Sequence, residues 1–204
     1  MSLILQGSTS GSVTLQEPAV AGTTVLTLPA TSGNVVVDSA TQTLTNKTIQ
    51  GGTITSGTAV ASTSGTSIDF TSIPSWVKRI TVMFNSVSTS GTSNYLVQIG
   101  SGSVTTSGYT GQANSGAGIS GNSIGFIVCN NIGSASTHAG AATILSFGSN
   151  IYIEAGLVGS TGSAASMSTS EGVVTLAGVL DRVRITTVNG TDTFDAGSIN
   201  ILYE

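Results

Sequence analysis

The chain has 204 residues, only 7% of them charged and 5% aromatic, and a formal net charge of −4. With five Lys and Arg in all there is no basic stripe to neutralise a phosphate backbone, so nucleic-acid binding is not expected. No apolar run approaches the roughly 18 residues that span a bilayer, and membrane insertion is not expected either.

Residues 1–69 contain no Phe, Trp or Tyr, the side chains that supply much of a small core's buried area. This third still offers short strand-like pieces: SLILQ (2–6), SVTLQ (12–16), TVLTL (24–28) and NVVVD (34–38). Strands so short leave unpaired edges and need a partner surface. The opening MSLILQGSTS lacks the basic region and long apolar stretch of a secretory leader, so export by that route is not expected.

Next comes TLTNKTIQGGTITSG (43–57), with apolar residues at Leu44, Ile49 and Ile54. A step of five matches neither the helix nor the strand period. If the chain bends once per step, helped by Gly51–Gly52 and Gly57, all three residues can face one axis. One coil of such repeats has nothing to stack on within a single chain. Three chains wound together would supply that surface, with Leu44, Ile49 and Ile54 on the shared axis; a polar linker with chance spacing is the alternative.

From about residue 66 the pattern changes and nine strands are predicted: 66–70, 78–85, 94–100, 123–129, 142–148, 151–157, 172–178, 182–188 and 198–203. Ile80/Val82/Phe84 alternate with Arg79/Thr81/Met83, and Val183/Ile185 with Arg182/Arg184. The tripeptide RIT occurs at 79–81 and 184–186, which suggests related positions on two sheets. The expected architecture is all-β: an attachment segment over 1–38, an intertwined trimeric stalk over 39–65, and a jelly-roll-like β-sandwich head over 66–204. The Gly/Ser-rich stretches 107–122 and 160–171 read as loops at the ends of the sandwich.

Few residues suggest chemistry. Cys129 is the single cysteine, at the end of an apolar run, and reads as a small buried side chain. GAGISG (116–121) matches a dinucleotide-loop pattern but lacks the strand before and helix after that such a loop needs. His138, the single histidine, reads as a solvated loop residue; three copies around an axis could share a metal or anion. Asp192 and Asp195, with Asn189, could hold calcium, although Asx turns account for the same pattern. Trp76 precedes a strongly apolar strand and reads as a core or interface aromatic, or else a sugar-stacking platform. Tyr109, among small residues in SGYTGQ, reads as the better ligand contact. No catalytic residue and no cofactor is expected.

SATQTLTNKTIQGGTI (39–54) resembles a segment common in bacteriophage tail-fibre and related virion fibre proteins. Residues 11–37 are similar to N-terminal repeats of the same proteins, and 72–102 with 190–204 resemble C-terminal domains appended to phage and prophage fibres. The resemblance implies a homotrimer in the virion, joined to other virion proteins by its N-terminal part and presenting its head to a host-surface glycan or protein. The shaft here is short, so a head fibre, neck fibre, tail-tip protein or adaptor fits the same features as a tail fibre does. A glycan-cleaving head is the enzymatic alternative.

Overall fold

A computed structural model describes residues 3–15, 19–20, 22–23, 30, 54–134, 136–161 and 166–204. In chain order the strands are β1 (Leu3–Gln6), β2 (Ser12–Leu15), β3 (Thr55–Ser56), β4 (Val60–Ala61), β5 (Ile68–Thr71), β6 (Arg79–Thr89), β7 (Tyr95–Ser101) and β8 (Ser103–Val104). There follow β9 (Thr110–Asn114), β10 (Ile119–Gly121), β11 (Phe126–Cys129), β12 (His138–Gly148), β13 (Ile151–Ser160), β14 (Met167–Thr175), β15 (Arg182–Thr187) and β16 (Phe194–Tyr203). No helix occurs among the described residues, and every strand pair is antiparallel. The chain divides into two units, 1–48 and 49–204.

In the first unit β1 and β2 form a hairpin in which Leu5 faces Val13 across the ladder. Ile4, Leu5 and Val13 are all more than half exposed, so a two-stranded ribbon buries neither face of its own apolar residues. The expected strands at 24–28 and 34–38 lie outside the described residues, as do Leu44 and Ile49.

The second unit is built from two sheets. The larger runs β10-β9-β14-β13-β12-β6-β16-β3, with β4 also on β16; the smaller runs β11-β7-β15-β5, with β8 on β7. One apolar core lies between them. Ile80, Val82 and Phe84 of β6, Ile144 of β12 and Ile199 of β16 meet Val97 and Ile99 of β7 and Val183 and Ile185 of β15. The alternation read from the sequence sends these residues inward and sends Arg79, Thr81 and Met83 outward. Each RIT copy lies on a different sheet, and Ile80 and Ile185 are both buried.

β3 and β4 correct the expected boundary of the stalk. Both pair with β16, the last strand of the head, so residues 55–61 are an edge of the head's own sheet. The ladder of β16 offers these residues backbone partners within one chain. Ile54, expected on a trimer axis, stands 60% exposed in the single chain.

A line of irregularities crosses the middle of the large sheet. Ser86 on β6 takes a positive φ of 52°, and Gly197 on the adjacent β16 one of 87°. The pairing register shifts there on both sides of β6. A side chain on Gly197 would collide with the carbonyl of Ser86, so glycine is required. The bulge shifts the inward set on β6 from even to odd positions: Phe84 points into the core before it, and Val87 after it.

The registers also define two ends. Tyr203 pairs with Ile80 and with Thr55, and Arg79 with Leu145. Ile54, Arg79, Phe147 and the C-terminal Glu204 therefore share the root end, where the described chain joins the head. Val87 pairs with His138, Gly159 with Met167, and Thr169 with Asn114. The segments 115–118, 130–137 and 188–193 accordingly lie at the far end.

Among the described residues ion pairs are few and peripheral. The Arg184 guanidinium donates two hydrogen bonds, of 2.7 and 2.8 Å, to the Asp69 carboxylate across β15 and β5. Both side chains are more than one-third exposed. Asp69→Asn is therefore expected to lower stability by less than about 1 kcal/mol in urea unfolding. A loss of several kcal/mol would show that the pair holds the small sheet together.

Candidate functional site

Tyr109 is not where its loop sequence suggested. It is 3% exposed, and its ring meets Phe126 edge-on at 4.8 Å. Its hydroxyl accepts a hydrogen bond from the Ile99 N–H at 2.8 Å and lies 3.1 Å from the carbonyls of Ile99 and Thr105. Burial pushes its pKa up to about 12. Tyr109 pins the segment after β8 to the edge of β7 and is withdrawn from any ligand. The surrounding stretch 107–122 is only partly loop, because 110–114 and 119–121 form the hairpin β9–β10. GAGISG lies across its turn and second strand, with Gly116 at φ 74° and the Ser115 N–H bonded to the Gly118 carbonyl at 3.3 Å. No helix follows to receive a phosphate.

His138 is likewise corrected. It opens β12, is fully buried, and sits with Nδ1 3.1 Å from the hydroxyl of Tyr95. Tyr95 also donates to the Val87 carbonyl at 3.1 Å. Burial lowers the His138 pKa, opposed in part by the Val87 carbonyl. The imidazole is thus a neutral core group, closed to a metal on a molecular axis. The run GAATILSFG after it carries the signal that was missed: an even-numbered inward set, Ala142 and Ile144, extends back to 138.

Trp76 is half exposed and packs against Tyr203, with ring centroids 6.0 Å apart. It is free to meet a partner, but at the root end. Asp192 and Asp195 do not converge. The Asp192 carboxylate accepts from the Ser93 N–H at 3.0 Å and from Asn189 Nδ2 at 2.6 Å, whereas Asp195 accepts from Ser88 Oγ. Asn189 Oδ1 in turn accepts the N–H groups of Thr191 and Asp192, which is the Asx turn. Among the described residues no three His, Cys, Asp or Glu side chains group as metal ligands.

Cys129 is 1% exposed, as its apolar run predicts, and burial raises its thiol to about 11. Beside it Asn130 ties the far end together. Its Nδ2 donates to the carbonyls of Ala113 and Gly118 at 3.1 and 2.9 Å, and its N–H and Oδ1 both bond Ser168 Oγ. One buried amide thereby holds the β9–β10 hairpin against the end of β11 and against β14.

That tether frames an open cleft of about 730 Å³ lined by Ser115, Ala117, Asn131, Ile132, Ser136 and Met167, with Gly116, Gly133 and Ser166. The Ser115 hydroxyl is buried and has no hydrogen-bond partner among the described residues. Past Ser166 and Met167 the surface continues as a groove of about 410 Å³ over Ala139, Gly140, Leu157 and Gly159. Among the described residues no charged side chain lines either one. Hydroxyls, backbone amides and a thioether around a shallow cleft suit a neutral ligand rich in hydroxyl groups. The sequence marked 107–122 and 160–171 as loops but could not show that they converge with residues 131–136.

No family model, curated protein or solved structure matches this chain.

Proposed function

We propose that the chain is a structural fibre protein of a bacteriophage virion. It is homotrimeric, is joined to the particle by its N-terminal segment, and presents a jelly-roll-like head to the host surface. The observation that carries this reading is the placement of the uncharged, hydroxyl-lined cleft at the far end of the head, opposite the root where the chain joins it. A contact element belongs at the end that leads. The fibre-like segment at 39–54, just before the root, supports the same polarity. The chemistry of the cleft favours a neutral host-surface glycan as ligand. Three heads on one particle attachment would convert weak single contacts into firm binding.

The test is binding of fluorescent full-length protein to a panel of bacterial strains and to their purified surface polysaccharides. Saturable binding to at least one strain, blocked by excess unlabelled protein, is expected. Ala117→Trp, which fills the cleft mouth from an exposed turn, is expected to weaken it at least tenfold with an unchanged melting temperature. Binding to no strain, or equal binding by Ala117→Trp, would overturn the reading. Release of oligosaccharides from the polysaccharide would replace it with a depolymerase.

A further inference from the structure

The outer face of the large sheet carries the least expected surface of the molecule. Along β12, β13 and β14 the outward side chains include Leu145, Phe147, Ile153, Leu157, Met167 and Val173, each between 38% and 73% exposed. They stand in register. Leu145 lies opposite Ile153, and Ile153 opposite Val173; one level on, Thr143, Ala155 and Glu171 align; one further, Met83, Ala141, Leu157 and Thr169. The inner face of the same strands is already buried against the small sheet, so this second apolar face has no partner among the described residues of the head.

Size and composition together indicate what covers it. Four strands spaced about 4.8 Å apart and about nine residues long present roughly 600 Å² of flat area; the flanking strands β9 and β16 raise this to roughly 900 Å². That matches the roughly 800 Å² each partner contributes to a standard specific interface. The flanks are polar, with Thr110, Gln112 and Asn114 on one side and Ser198 and Asn200 on the other, which is the apolar-centre, polar-rim pattern of an interface. Ionisable groups stand on both margins of its apolar part, and Arg79 is ion-paired with Glu204 of its own chain. Arg79 is on β6 and Glu171 on β14, one register level apart. When copies rotate about an axis parallel to the strands, the β6 margin of one meets the β14 margin of the next. Like rows then stack level with like.

We propose that this face is buried between copies of the same chain, arranged about an axis running along the strands of β12 and β13. That the copies number three rests on the fibre reading above. The face itself rests on the head alone. Closed rotation about one axis buries the face together with the groove over Leu157, and leaves the far-end cleft, which Met167 borders, open at the same end of every copy.

Cys129, the only native cysteine, is buried, so an introduced thiol reports the face cleanly. Full-length Ala155→Cys protein, treated at micromolar concentration with a short bismaleimide, is expected to give a covalent dimer on a denaturing gel. Its labelling by a bulky polymer maleimide is expected to be at least tenfold slower than that of a Thr106→Cys control on an exposed loop. Thr169→Cys reads the same face, should Ala155→Cys fail to fold. A protein that sediments as a trimer, yet labels at the control rate and does not cross-link, overturns the face and leaves the fibre reading standing. A folded monomer overturns both. Protection without cross-linking, in a monomer, would assign the face to another part of the same chain and also overturns the proposal.

Discussion

Tyr95→Ala is expected to lower the stability of the head by about 3–5 kcal/mol, the range for removing a fully buried aromatic ring. Tyr95 is completely enclosed, and its ring meets those of Phe84, His138 and Phe194 at 6.2, 5.2 and 6.4 Å. It also joins the two sheets, because it stands on β7 while its hydroxyl reaches the Val87 carbonyl on β6 and Nδ1 of His138 on β12. Alanine would leave a large cavity and two unpaired polar groups just beside the bulge. In a domain of this size the melting temperature should fall by roughly 10 °C or more. Tyr95→Phe separates the two contributions: it keeps the ring and strands only the polar partners, at about 1–3 kcal/mol. The expected order in urea unfolding is wild type, Phe, Ala. Equal stability of wild type and Tyr95→Ala would show that the two sheets do not depend on this contact.

Glu154 is expected to make the head less stable as pH rises. The carboxyl is fully buried on the inner face of β13. Its Oε1 accepts a hydrogen bond from Ser170 Oγ at 2.8 Å, and its Oε2 has no partner among the described residues. Burial raises its pKa from 4.5 to about 7; the Ser170 bond opposes this and the charge of Glu171 adds to it. The sign follows from proton counts. Between about 4.5 and 7 the folded state holds a proton on Glu154 that the unfolded chain has released, so stability falls as pH rises through that window and levels off above it. The whole effect is about 3 kcal/mol. His138 works in the opposite sense: its lowered pKa makes the unfolded chain the better proton binder below about 6.5, so stability falls as pH drops. The decisive quantity is thus the difference between wild type and Glu154→Gln in thermal melts from pH 4.5 to 8.5. The variant should gain on the wild type steadily up to about pH 7 and hold its advantage beyond. A difference that does not change with pH would mean that the carboxyl is ionised in the fold throughout.

Glu154 shows how much was legible and at what level. In IYIEAGL a period of two puts Glu154 on the same face as Tyr152, and the buried Tyr152 and Val158 confirm which face that is. The alternation was readable, but its consequence needed the second sheet on top. The nine predicted strands of the head all occur, with ends displaced by several residues where polar Ser and Thr prolong an apolar run, as in β14, which starts at Met167 rather than 172. Polar side chains there point inward and bond one another, as Ser168 does with Asn130. A hydropathy pattern cannot distinguish such residues from loop.

The amino-acid sequence by itself determined the class of this protein. Scarce charge, abundant Ser, Thr, Gly and β-branched residues and a strict two-residue alternation leave strands and turns as the way to bury its apolar side chains, and they set Cys129 inside. Tertiary structure decided everything that depends on which distant segments meet. It drew Tyr109 and His138 out of apparent loops into the core, took residues 55–61 from the expected stalk into the head's sheet, and brought three unremarkable loops to one uncharged cleft. The reason is physical: alternation is a property of neighbours in the chain, whereas a bulge, a buried hydroxyl or a second exposed apolar face exists only once strands far apart in sequence have chosen their register.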